Sequence, residues 1–177
     1  GTESVANIVA FGRAAELAMA SIEDENTRIR GLRDRFENHV LTHIPNTVRN
    51  GNKNLRLPNT ANIAFDFVEA EAVLLLLDQA GICASSGSAC TTGSLDPSHV
   101  LTAMGLPPMR ARGSVRFSFG IYNTDEDVDY LIEKLTPIIH RLREISPLNP
   151  EHPDNDTYDI EAARRKHEVE MSGQREG

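Results

Sequence analysis

A chain of 177 residues, 40% of them apolar, is long enough to bury one core of ordinary size, or one core and a tail. Its 18 Lys and Arg stand against 26 Asp and Glu, a formal charge of −8 with no basic stripe, which excludes a general affinity for nucleic acid or an anionic membrane. No apolar run of membrane-spanning length is expected, the N-terminus lacks the features of a secretory leader, and the expected location is cytoplasmic.

Gly1 to Ser4 lead without an initiator Met straight into a helical pattern, which reads as a piece of a longer chain. From Val5 to Ile44 apolar residues such as Met19, Ile22, Ile29, Leu32 and Phe36 recur with a helical period. One helix of that span would be about 60 Å long. A break is therefore expected in the polar segment Ser21 to Asn26, giving two consecutive helices. His39 and His43 have the i, i+4 spacing of a metal pair, but no acidic residue lies between them and a solvated helix face is the better reading.

Pro45 stops the helix, and residues 46–58 are dense in turn formers, with Asn50-Gly51 a hairpin signal and Val48, Leu55 and Leu57 in short flanking strands. Asn62 to Phe67 alternates like a half-buried strand. Glu69 to Ala80 has the acidic first turn, Leu-rich middle and following glycine, Gly81, of a buried helix. With a strand starting at Ile82, these elements predict a β-α-β unit.

Ile82 to Pro97 then opens a loop around a thiol. Every residue from Ser85 to Thr92 other than Cys90 is Ser, Gly, Ala or Thr, so nothing bulky hides the Cys90 sulfur. Cys83, between Ile82 and Ala84, reads as a small core hydrophobe. The spacing of the two cysteines suits neither zinc nor a permanent disulfide.

Pro97 to Met104 reads as a short helix and Leu106 to Arg112 as a connecting loop. In Ser114 to Gly120, Val115, Phe117 and Phe119 point inward and Ser114, Arg116 and Ser118 outward, the cleanest strand pattern in the chain. Arg116, aimed out of that strand, suits a two-point grip on a carboxylate, whether of a substrate or of a surface acid. Thr124 with Asp127 resembles a capping box for a helix carrying Val128, Leu131, Leu135 and Ile139 on one stripe and kinked at Pro137. Beyond Ser146 the chain turns polar and acidic, a tail over 147–177.

The segments SSGSACTTGSLDPSHVLTAMGL, VRFSFG and GTESVANIVAFGRAAELA together resemble the C-terminal part of the NifS-like cysteine desulfurases, pyridoxal-phosphate enzymes of the fold-type I aminotransferase superfamily. The resemblance covers residues 1 to about 148. It implies an α/β fold over 1–146, a small C-terminal domain with a small mixed or antiparallel sheet covered by helices and the Cys90 loop at one edge. It also implies that Cys90 takes sulfur from L-cysteine as a persulfide, releasing alanine, and that Arg116 holds the substrate carboxylate. Thr2 is implied to lend its hydroxyl to the pyridoxal 5'-phosphate of a neighbouring subunit in a homodimer. The implied acceptor is an iron-sulfur scaffold or another sulfur-accepting protein, in iron-sulfur or nitrogenase cofactor assembly, with Cys90 also a transient iron-sulfur cluster ligand.

The family's cofactor lysine, stacking histidine and acidic partner lie upstream of the resembling stretch, and Lys53, Lys134 and Lys166 stand in no matching context. The chain alone is therefore expected to be inactive. A selenocysteine lyase-like enzyme and a non-enzymatic sulfur-acceptor or docking module are the rival readings.

Overall fold

Successive side chains of a strand point to opposite faces, and in Ser114–Ser118 this sends Val115 and Phe117 into the core and Arg116 and Ser118 out of it. The computed structural model describes residues 2–86 and 98–148. Strands β1 (Thr47–Arg49), β2 (Thr60–Phe65) and β3 (Ser114–Ser118) form one sheet in that order, antiparallel throughout. The register sets Arg49 opposite Ile63 and Asn62 opposite Arg116.

The inner face is covered by α2 (Arg30–His43), α3 (Ala70–Gln79) and α6 (Asp125–Glu144). Phe36 of α2 meets the rings of Phe117 and Phe119 at 4.7 and 5.8 Å between centroids. Gly113 enters β3 where a Cβ would overlap the carbonyl oxygens of Phe65 and Val68, so only glycine fits. The Thr124/Asp127 capping box opens α6 as expected. Near its end the buried Arg143 donates to the carbonyl oxygens of Asp66 and Asn46, at 3.1 and 3.0 Å. Those carbonyls adjoin two turns in which Asn46 and Phe67 take positive φ, 53° and 70°.

Several expectations need correcting. The N-terminal helices do not break: α1 (Val5–Asp24) passes through a π turn, Glu25–Ile29, into α2. Asn26 and Thr27 donate side-chain hydrogen bonds to the carbonyls of Ile22 and Glu23 there, widening the turn rather than ending it. That continuous helix, Val5–His43, does contain a stretch long and apolar enough to cross a membrane by length and composition, contrary to expectation. Leu55 and Leu57 lie exposed outside any strand, because β1 and β2 are joined by the whole of residues 50–59 rather than by a tight hairpin.

No β-α-β unit forms among the described residues. Ile82 to Ala84 make no strand, and Ser85 alone bridges to the free edge of β3. Residues 108–112 are a helix, α5 (Pro108–Arg112), where a loop was expected; Pro108 sits at the first helical position, which needs no N–H donor. α4 (His99–Ala103) is the short helix expected after the thiol segment. Ser114, expected outward on solvent, is fully buried beneath Asn50. Cys83 is exposed, not a core hydrophobe, since no strand carries it inward. From residue 149 on, the expected tail lies outside the described residues.

Candidate active site on the outer face of the sheet

The outer face of the sheet carries a polar group, Thr60 and Asn62 of β2, Arg116 and Ser118 of β3, and Asn50 just past β1, beside the apolar Val48 and Ala64. Both backbone edges of Arg116 are held. On one side β2 pairs with it; on the other its N–H donates to Ser85 O at 2.6 Å and its carbonyl accepts from Ser85 N at 3.1 Å. The side chain is exposed, so a fixed main chain presents the guanidinium outward. Arg28, Arg35, Arg49, Arg56 and Arg110 each pair with a carboxylate. Among the described residues no acid lies within ion-pair distance of Arg116, so the surface-acid reading finds no acid.

Beside Arg116 runs a buried relay. The Ser114 hydroxyl donates to the Arg110 carbonyl at 2.7 Å. The Asn50 side-chain amide donates to Ser114 Oγ at 2.9 Å and to Asn62 Oδ1 at 2.7 Å. Ala64, the β2 residue opposite Ser114, is small enough for the Asn50 side chain to cross over it. None of the three relay residues stands out in the sequence, where Asn50 reads as a turn residue. The one available signal is that Asn62 and Arg116 both fall on the polar side of an alternating strand.

On the opposite face Glu37, almost fully buried, takes two hydrogen bonds from Arg56 and one from Arg49. Burial alone would push this carboxyl up, but the hydrogen bonds and charge of Arg56, then of Arg49, hold it below the usual carboxylate range. This cluster pins residues 50–58 to α2, behind the sheet.

The other expected site residues are not brought to Arg116. Thr2 is exposed ahead of α1, about 30 Å of helix from the core. Cys90 lies outside the described residues; its segment leaves after Ser86, one residue beyond the Arg116 bridge, and returns at Ser98. His39 and His43 stack at 4.2 Å, with burial first and then the charge of His43 holding His39 below its ordinary value. Among the described residues no three His, Cys, Asp or Glu converge as a metal site. Nor do the described residues fit pyridoxal phosphate: Lys53 is exposed in a loop, and Lys134 pairs with Glu133 on an exposed helix face.

Comparison with known proteins places the small antiparallel sheet and its covering helices in a family. The Aminotransferase class-V family matches residues 1–131, and the chain belongs to that family. It is 56% identical over 147 residues to a cysteine desulfurase of Gluconacetobacter diazotrophicus and 51% identical over 147 residues to the cysteine desulfurase NifS of Azotobacter vinelandii. Each match takes in 83% of this chain and 37% of the relative, so the chain spans little more than a third of their length. The X-ray structure of a NifS-like protein from Rickettsia africae superposes with a TM-score of 0.67 at 34% identity, over 79% of this chain and 36% of that one.

Proposed function

We propose that the chain is the sulfur-transferring portion of a cysteine desulfurase acting on L-cysteine in the cytoplasm. The observation that carries this reading is Arg116: unpaired with any acid among the described residues, clamped in its backbone, and hydrogen-bonded there to Ser85, five residues before Cys90. At about 3.5 Å per residue, chain connectivity keeps Cys90 within about 18 Å of Ser85. A thiolate on that tether and a guanidinium beside its root suit an amino acid held by its carboxylate and attacked at its sulfur.

In this reading Arg116 takes the α-carboxylate of L-cysteine in a bidentate grip. The Cys90 thiolate attacks the substrate sulfur, an S–S bond forms as the C–S bond breaks, and the carbon keeps the electron pair and takes a proton, leaving alanine. Pyridoxal phosphate, implied by the family, would be held mainly by polypeptide other than the described residues. Thr2, at the far end of α1, is proposed to contact that cofactor in the partner subunit of a homodimer. The exposed apolar side of α1 is proposed to pack on the remainder of the full-length enzyme rather than in lipid; Arg13 and Glu16 pair within it at 2.8 Å. The persulfide would pass to an iron-sulfur scaffold or another acceptor, with Cys90 also serving as a transient cluster ligand.

The test uses the full-length enzyme. Cys90→Ala abolishes alanine formation while the cofactor stays bound, and Arg116→Ala raises KM for L-cysteine by one to two orders of magnitude, as expected when a charge-assisted pair worth about 2 to 3 kcal/mol is lost. Unchanged turnover in the first variant, or unchanged KM in the second, overturns the reading. Comparing alanine release from L-cysteine and L-selenocysteine separates a desulfurase from a selenocysteine lyase.

A further inference from the structure

The direction of every hydrogen bond in the relay behind Arg116 follows from one group that cannot be reversed. The Arg110 carbonyl only accepts, so the single Ser114 hydroxyl proton is spent on it. Toward Asn50, Ser114 Oγ can then only accept, so Asn50 must present its NH2 group. The same NH2 reaches Asn62, which must therefore present its oxygen. Ser114 is fully buried and Asn50 nearly so, so a reversed amide would cost the relay a hydrogen bond in a poorly solvated place. If the Asn62 amide turned round, a donor would face a donor in a closed site.

The register supplies the rest. Asn50 follows β1 and stands on the β1 side of Asn62, its backbone N–H donating to Asn62 O at 2.8 Å. Arg116 stands directly opposite Asn62 on the β3 side, where cross-strand Cβ atoms are about 5 Å apart. With its oxygen taken by the Asn50 amide, the NH2 is the end of the Asn62 side chain left over on the half-exposed outer face that it shares with Arg116. Among the described residues that NH2 has no hydrogen-bond partner.

We infer that Asn62 is a second carboxylate-binding residue beside Arg116, and that Asn50 is a positioning residue that fixes which end of the Asn62 amide faces the substrate. This rests on the proposed role of Arg116. A carboxylate offers more acceptor sites than one guanidinium fork fills, and a neutral amide N–H can take a remaining one without adding charge. Reversing the amide would put an oxygen against the substrate carboxylate, which is why its orientation is held by a buried relay.

The experiment measures steady-state kinetics with L-cysteine on the full-length, cofactor-loaded enzyme. Asn62→Ala raises KM about tenfold and Asn62→Asp, which sets like charge against the carboxylate, about a hundredfold or more, with kcat changed by less than about threefold. Asn50→Ala raises KM by about fivefold in the wild-type background and not at all in the Asn62→Ala background, because Asn50 acts only through Asn62; a merely structural role would damage both equally. A KM within about twofold of wild type for Asn62→Asp overturns the inference, as does an equal effect of Asn50→Ala in both backgrounds. If Asn50→Ala does not fold, Asn62→Asp, which preserves shape, decides alone. Arg116→Lys is run alongside: if it leaves KM unchanged the Arg116 reading itself fails, whereas a raised KM there with none for Asn62→Asp removes only the inference.

Discussion

α1 and α2 are one continuous helix, yet nothing in α1 is buried while α2 buries Leu32, Arg33, Phe36, Glu37 and Val40. Apolar content does not explain the difference, since α1 is the more apolar of the two, yet its Phe11 is 79% exposed while Phe36 in α2 is wholly buried. The difference is company: α2 lies along the sheet and α6, and α1 runs out past both. An apolar period thus announces that a helix face has a partner and says nothing of whether that partner is in the same stretch of chain. In a chain spanning little more than a third of its relatives, the two halves of one helix show the two cases side by side.

The contrast can be broken or sharpened by urea unfolding of single variants. Phe36→Ala carries the largest expected cost, about 3 to 5 kcal/mol, through a cavity beneath Phe117 and Phe119; a cost under about 1 kcal/mol would show that α2 is not the packed half. Glu37→Ala follows at about 3 kcal/mol, because Arg56 and Arg49 are left without their buried partner. The same carboxyl sets a pH dependence. Held below its ordinary value of 4.5, it releases its proton more readily folded than unfolded, so its stabilisation is complete above that value and disappears as pH falls through the folded value. Stability below about pH 4.5 should therefore fall less steeply in Glu37→Gln than in wild type.

Thr124→Ala removes one side of the capping box on α6, the neighbour of α2, and should cost about 1 kcal/mol. Phe11→Ala has the smallest expected effect, within about 0.5 kcal/mol, since its ring touches no core. A loss comparable to that of Phe36→Ala would mean that α1 is packed after all, and the contrast between the two halves would be gone.

Elements written in a local pattern were readable from sequence. The alternation of Val115, Arg116 and Phe117, the Thr124/Asp127 cap and the Gly81 stop at positive φ all stand where their residues put them. The exposed Arg116 follows from the same alternation, which does not by itself decide between a mixed and an antiparallel sheet. The Asn50, Asn62 and Ser114 relay was not readable, because it joins three segments up to 64 positions apart and uses residues whose local meaning is a turn or a polar strand face. Cys83 misled because apolar neighbours suggested a strand, whereas only Ser85 bridges to β3. The π turn escaped because Asn26 and Thr27 bond to carbonyls four residues back, which periodicity does not register.

Arg143 has a temporal consequence. Its guanidinium reaches carbonyls 77 and 97 positions earlier in the chain, at Asp66 and Asn46, where Phe67 and Asn46 hold uncommon backbone angles. A nascent chain emerging from a ribosome lacks that clamp until almost all of the described residues have been synthesised. The two corners of the sheet can therefore be clamped only once α6 has been made and closes over them.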